Sequence, residues 1–92
     1  MVRTISILGS TGSIGVNALK VISNLKKSFK VKYLSTNKNV DLLISQIKEH
    51  KPKSVAVVDE LAAEKIKSAL DEMGIELLVG KVGLLDLSQR HD

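Results

Sequence analysis

Three glycines spaced three apart lie in the string Gly9-Ser10-Thr11-Gly12-Ser13-Ile14-Gly15, and the chemistry that suits this spacing is the holding of a pyrophosphate. Gly9 would allow a tight turn. Gly12 would let the main chain approach the phosphates with no Cβ in the way, and Gly15 would let a following helix pack close to the preceding strand. A helix beginning here offers unpaired N–H groups and the positive end of its dipole to an anion. The pattern is G-x-x-G-x-x-G and not G-x-G-x-x-G, so it marks a dinucleotide site without naming one enzyme class. A Walker loop is excluded, because Gly15 is followed by Val16 and Asn17 and not by Lys-Ser/Thr. The competing reading is a strand-to-helix turn that binds nothing.

The elements on either side are those a phosphate turn needs. Residues 4–8 read as a strand, and residues 14–25 repeat apolar side chains at helical spacing through Ile14, Ala18, Leu19, Ile22 and Leu25. The alternation then continues: a strand over residues 29–35, a helix over 40–48 with Val40, Leu43, Ile44 and Ile47 on one face, and a strand over 54–58. A helix over 61–73 buries Ala62, Ile66, Ala69, Leu70 and Met73 and stops at Gly74; a short strand covers Glu76–Val79, and residues 83–87 form one more helical turn. This is α/β, a Rossmann-like parallel sheet of βαβαβαβ order, the first part of a dinucleotide-binding domain. Ile5-Ser6-Ile7-Leu8 and Val55-Ala56-Val57-Val58 predict strands covered on both faces. Right-handed crossovers predict all three intervening helices on one face, with the other face bare.

The end of the second strand bears on the choice of dinucleotide. NAD sites usually place an acid about twenty residues past the glycines to bind the ribose 2′-hydroxyl, whereas a basic side chain accommodates the 2′-phosphate of NADP. Here Ser35-Thr36-Asn37-Lys38-Asn39 contains no carboxylate before Asp41, which favours NADPH. Lys38 supplies charge, and Thr36, Asn37 and Asn39 supply short hydrogen-bonding groups. The same residues also have a purely structural reading, with Asn39 as a helix N-cap and Lys38 as a solvated loop residue.

Composition narrows the partners. The 92 residues carry a net charge of +4, but residues 1–46 hold seven basic side chains and one acidic, against seven and nine in residues 47–92. The densest cluster, Lys26, Lys27, Lys30 and Lys32, falls at the sheet end opposite the glycine turn, where it complements a helix C-terminus. With Phe29 and Tyr33 the only aromatic residues, a nucleic-acid stacking platform is not expected. No apolar run approaches membrane-spanning length, and Met1 leaves no room for a leader before the first strand. The absence of cysteine removes disulfides and thiolate chemistry and agrees with a cytoplasmic setting.

The run Ile7-Leu8-Gly9-Ser10-Thr11-Gly12-Ser13-Ile14-Gly15, with Asn37-Lys38-Asn39-Val40 after the second strand and Val79-Gly80 and Gly83-Leu84 later, resembles the N-terminus of the 1-deoxy-D-xylulose 5-phosphate reductoisomerase family. The resemblance implies an enzyme that converts that sugar phosphate to 2-C-methyl-D-erythritol 4-phosphate in non-mevalonate isoprenoid biosynthesis, as a homodimer, with NADPH and a divalent metal, Mg or Mn. It implies that Thr11, Gly12, Ser13 and Ile14 line the cofactor phosphates and the nicotinamide-side ribose, and that Asn37, Lys38 and Asn39 meet the 2′-phosphate. Asn37 stands where the family often has glycine.

Family members are several times longer than this chain. Their Asp-Ser-Glu metal segment, further glutamate, histidine-bearing loop and substrate-phosphate residues have no counterpart in residues 1–92, so catalytic and C-terminal domains are expected outside it and the isolated chain is expected to be inactive. His91 and His50 read as solvated or loop residues, and Asp59-Glu60 as acids at a helix start. Two alternatives stand beside this reading. One is another NADP reductase, of the semialdehyde or acyl-phosphate type; the other is a non-catalytic dinucleotide-sensing module.

Overall fold

The computed structural model describes residues 3–25 and 28–90. Within them β1 (Arg3–Ile7), α1 (Ser13–Ser23), β2 (Phe29–Thr36), α2 (Val40–His50), β3 (Ser54–Val57), α3 (Glu60–Met73), β4 (Glu76–Val79) and α4 (Gly80–Ser88) follow one another in strict alternation. The four strands form one parallel sheet in the order β1-β2-β3-β4. Successive right-handed crossovers in that order place α1, α2 and α3 on one face. Leu19 and Ile22 of α1, Leu43 and Ile47 of α2, and Ala62, Ile66 and Leu70 of α3 share one core with Val31, Leu34, Val55 and Val57 of the strands.

The other face is not bare. The turn expected at residues 83–87 is a nine-residue helix, α4, and it buries Leu87 against Tyr33 and Ala56, with Leu78 and Leu84 at its margin. Gly83 makes this close approach possible, since a Cβ there would stand 2.9 Å from the carbonyl carbon of Leu78. α4 covers only part of the face, however. At β1 the expectation of two covered faces fails: Ile5 and Ile7 pack against the helical core, whereas Thr4, Ser6 and Leu8 are exposed. Among the described residues β1 pairs only with β2, so it is an edge strand with one face open. β3, with neighbours on both sides, is buried over its whole length, as expected of an inner parallel strand.

β2 carries an irregularity that alternation alone does not reveal. Ile5 pairs with Val31 but Ser6 pairs with Tyr33, so Lys32 is an extra residue in the ladder. The bulge reverses the strand's phase. Phe29, Val31 and Leu34 thus meet the helical layer while Tyr33 turns to α4. No helix of the described residues is long and apolar enough to cross a membrane. Lys26 and Lys27 of the lysine cluster, and His91, lie outside the described residues.

Candidate functional site

The glycine string forms the turn from β1 into α1, and each glycine there answers a different demand. Gly9 has φ +71°, a left-handed conformation that other residues adopt at a cost. At Gly15 a Cβ would collide with the Gly9 carbonyl oxygen and stand 2.6 Å from Ser10 Cα, so this glycine lets α1 sit against the turn. Gly12 answers to neither. Its φ is −76°, and a Cβ would meet only the Gly9 carbonyl oxygen, at an ordinary 3.5 Å. Nothing inside the fold requires glycine at position 12, and the space in front of it is open.

The helix that starts there is left without a cap. Gly12 is its N-cap residue with no side-chain hydrogen bond, its first turn holds no acid, and its first ladder bond runs from Val16 N–H to Gly12 O at 2.9 Å. The N–H groups of Ser13, Ile14 and Gly15 precede that first bond and are available to an anion. Ile14, expected among the core residues of α1, is instead 86% exposed beside the opening. It sits on the open side of the turn, in the lining of a cleft, where the apolar periodicity misreads it. Leu25 also falls outside the core, beyond the end of α1 and 44% exposed; in α3, Met73 is 42% exposed.

The turn is held from below by residues that the glycine spacing does not point to. Ser35 Oγ accepts from Gly9 N–H at 2.8 Å, and the Ser35 carbonyl accepts from Ser10 N–H at 2.8 Å and from Ser10 Oγ at 3.1 Å. The Thr11 and Thr36 hydroxyls share a hydrogen bond of 2.6 Å. From α2, Gln46 Nε2 donates to the Ser10 carbonyl at 2.7 Å. Ser10, Ser35, Thr36 and Gln46 are all buried, and they tie the turn to β2 and α2. A glutamine on the buried face of a helix otherwise lined by Val40, Leu43 and Ile47 is the sequence signal that could have found this support.

The second expected group begins where β2 ends. Asn37, Lys38 and Asn39 are exposed, between Thr36 and α2. Asn39 caps α2, its Oδ1 accepting from Leu42 N–H at 3.3 Å, so the structural reading of that residue holds. Its side-chain amide N–H groups have no partner among the described residues and can donate. The Lys38 carbonyl accepts from Val40 N–H at 2.9 Å, while its side-chain ammonium makes no hydrogen bond or ion pair with another described residue. Asp59 and Glu60 likewise open a helix: Asp59 Oδ2 accepts from Ala62 N–H at 2.9 Å. His50 is the last residue of α2 and not part of a loop. Among the described residues no three His, Cys, Asp or Glu side chains gather as metal ligands would.

Two open clefts meet at the turn. One, of about 510 Å³, runs along the free side of β1 between Ser6, Ile7 and the start of α1 at Gly12–Ile14 and Ala18. The other, of about 520 Å³, lies over the C-terminal ends of β1, β2 and β3 under α4. Leu8 and Gly9 line both. Each is within the range of ligand pockets, roughly 300–1,000 Å³.

Residues 5–92 match the family model described as 1-deoxy-D-xylulose 5-phosphate reductoisomerase. The enzyme of that name from Chloroherpeton thalassium is 43% identical over 90 residues, covering 98% of this chain and 23% of the relative. That from Caldanaerobacter subterraneus subsp. tengcongensis is 49% identical over 85 residues, covering 92% and 22%. Among solved structures, the Zymomonas mobilis enzyme in complex with NADPH superposes with a TM-score of 0.86 at 30% identity, over 94% of this chain and 23% of that one. The chain therefore spans less than a quarter of the length of these relatives.

Proposed function

This chain belongs to the 1-deoxy-D-xylulose 5-phosphate reductoisomerase family, and we propose that residues 1–92 form the N-terminal part of the Rossmann-like NADPH-binding domain of such an enzyme. The family match decides against the alternative of a semialdehyde or acyl-phosphate reductase. The reaction would be the family's conversion of 1-deoxy-D-xylulose 5-phosphate to 2-C-methyl-D-erythritol 4-phosphate, for which bound NADPH supplies the hydride. The chain's own contribution is to bind and orient that cofactor. A divalent metal, like that in the magnesium complex of a related reductoisomerase, has no candidate ligand cluster among the described residues and is given no role at this site.

The observation that carries the proposal is the uncapped start of α1 behind Gly12, a glycine without an internal reason, placed where two clefts meet. A pyrophosphate over this turn would accept from the Ser13, Ile14 and Gly15 N–H groups, and the fixed dipoles need no reorganisation to receive it. Gly9 shapes the turn, and Thr11 stands at its side with its hydroxyl anchored on Thr36. One nucleoside then enters each cleft. Asn37, Lys38 and Asn39 supply two amides and one cation to the 2′-phosphate, with no acid among them to repel it.

Calorimetric titration with NADPH and NADH tests the reading. NADPH is expected to bind more tightly, and Lys38→Ala to weaken it about tenfold with little effect on NADH, the scale of one charge-assisted phosphate contact at an exposed site. Equal affinity for the two cofactors would overturn the NADPH assignment.

A further inference from the structure

We infer that Lys81, in the first turn of α4, is a second cation for the 2′-phosphate and so a determinant of the choice of NADPH over NADH. The inference rests on the proposed function and extends it to a helix that none of the dinucleotide motifs includes. The groove under α4 has apolar walls, among them Leu8, Val58, Leu84 and Leu85, and Asn37 and Lys81 both line it. Asn37 is absent from the lining of the cleft beside β1, so the groove under α4 takes the adenosine half, the half that carries the 2′-phosphate.

Among the described residues Lys81 is the one charged side chain lining that groove, and no carboxylate lines it. Its side-chain ammonium makes no hydrogen bond or ion pair with another described residue. The contrast at the far end of α4 is direct: Arg90 is held by Glu76 at 2.6 Å and by Asp86 at 3.2 Å. A cation left unneutralised at the rim of an apolar groove acts on an anion through little intervening water, which strengthens the attraction. Its place is fixed by the fold as well. Gly83 packs onto Leu78 and Leu87 is buried, so the first turn of α4 is held over the ends of the strands. Lys38 and Lys81 belong to two different elements, the loop before α2 and the first turn of α4, so the two charges are set independently.

Adenosine fragments that differ only in this phosphate separate the possibilities: adenosine 2′,5′-bisphosphate and 5′-AMP, titrated into the protein bearing these 92 residues. Lys81→Ala is expected to weaken the bisphosphate five- to tenfold and to leave 5′-AMP within about twofold, while Lys81→Arg keeps most of the affinity. An equal loss for both fragments, or no loss for either, would overturn the assignment. If the unsubstituted protein binds neither fragment, the glycine-turn reading itself fails and takes the Lys81 inference with it. Lys81 is exposed, and an unchanged thermal midpoint in the variant is the expected check that a lost contact, and not a lost fold, is being read.

Discussion

Two strand-to-helix turns stand at the same C-terminal end of the sheet and are built in opposite ways. At the turn from β3 into α3, Asp59 accepts from Ala62 N–H with its side chain and from Ala63 N–H with its carbonyl, and Glu60 adds a second acid to the first turn. That helix start is satisfied from within. At the turn from β1 into α1 the corresponding position is Gly12, with no side chain, no acid follows, and Ile14 faces outward. With glycine in the cap position, omitting the side-chain cap forgoes only about 0.3 kcal/mol. The fold offsets this by fastening the turn from underneath, through Ser35, Thr36 and Gln46, and its outer side stays open. One turn spends its helix dipole on stability, and on the proposed function the other keeps it for the cofactor.

The largest effect should come from filling the open side of the binding turn. Gly12→Val is expected to weaken NADPH by more than about a hundredfold, since a branched side chain occupies the pyrophosphate's place. Its unfolding midpoint in urea should barely move, because the position has an ordinary φ and no close internal neighbour. A variant that unfolds instead would mean that Gly12 serves the fold, and the contrast between the turns would collapse. Gly15→Ala should do the reverse. Its Cβ meets the backbone of Gly9 and Ser10, which cannot yield as a side-chain tip could, so a stability loss of about 1–3 kcal/mol is expected in urea denaturation. Binding falls only because the turn is displaced. Unchanged stability would show that α1 can slide away from β1.

How far the sequence discloses this arrangement depends on the kind of signal. The glycine turn, the alternation of strands and helices, and the caps at Asn39 and Asp59 are local patterns, each written within a few neighbouring residues, and the structure has them where the spacing puts them. The support beneath the turn is not local. Ser35 and Gln46 reach Gly9 and Ser10 from residues 26 and 36 positions away in the chain, and a serine on a strand looks the same whether it meets water or a phosphate turn. The bulge at Lys32 shifts which face of β2 each later residue takes, and no single residue type announces it. α4 is read short because Gly80 and Gly83 resemble helix breakers, whereas Gly83 is the contact that lets the helix lie against Leu78.

The capped turn supplies the next test. Asp59→Ala should lower stability by about 1 kcal/mol, the usual cost of losing a cap, and leave NADPH affinity within about twofold. Measured beside Gly12→Val, it should give the opposite pattern, stability lost with binding kept. A substantial loss of affinity in Asp59→Ala would mean that the two turns are coupled, through the bonds from Val58 N–H to the Thr36 carbonyl and from Asp59 N–H to the Asn37 carbonyl.

The smallest effect expected lies at the opposite, N-terminal end of the strands, where charge is used for holding. Arg90 donates to both carboxylate oxygens of Glu76, at 2.6 and 3.2 Å, and Ser54 Oγ donates to Oε1 at 2.7 Å. The Arg90 hydrogen bonds, followed by that from Ser54, lower the Glu76 pKa from 4.5 to about 2. A carboxylate whose pKa is lower folded than unfolded contributes stability that is fully present above about pH 4.5 and is lost as pH falls towards 2, because the unfolded chain takes up the proton first. Glu76 is exposed, so solvent screening holds that contribution under about 1 kcal/mol. Denaturation midpoints followed from pH 6 to pH 2 should therefore fall slightly less steeply in Glu76→Gln than in the unsubstituted chain, the difference between the two curves isolating this carboxylate from the others that titrate in the same range. NADPH affinity at neutral pH should not change, since Gly83 and Leu87 still seat α4 when the ion pair is gone. An affinity loss in Glu76→Gln would show that the clasp at one end of the strands sets the groove at the other.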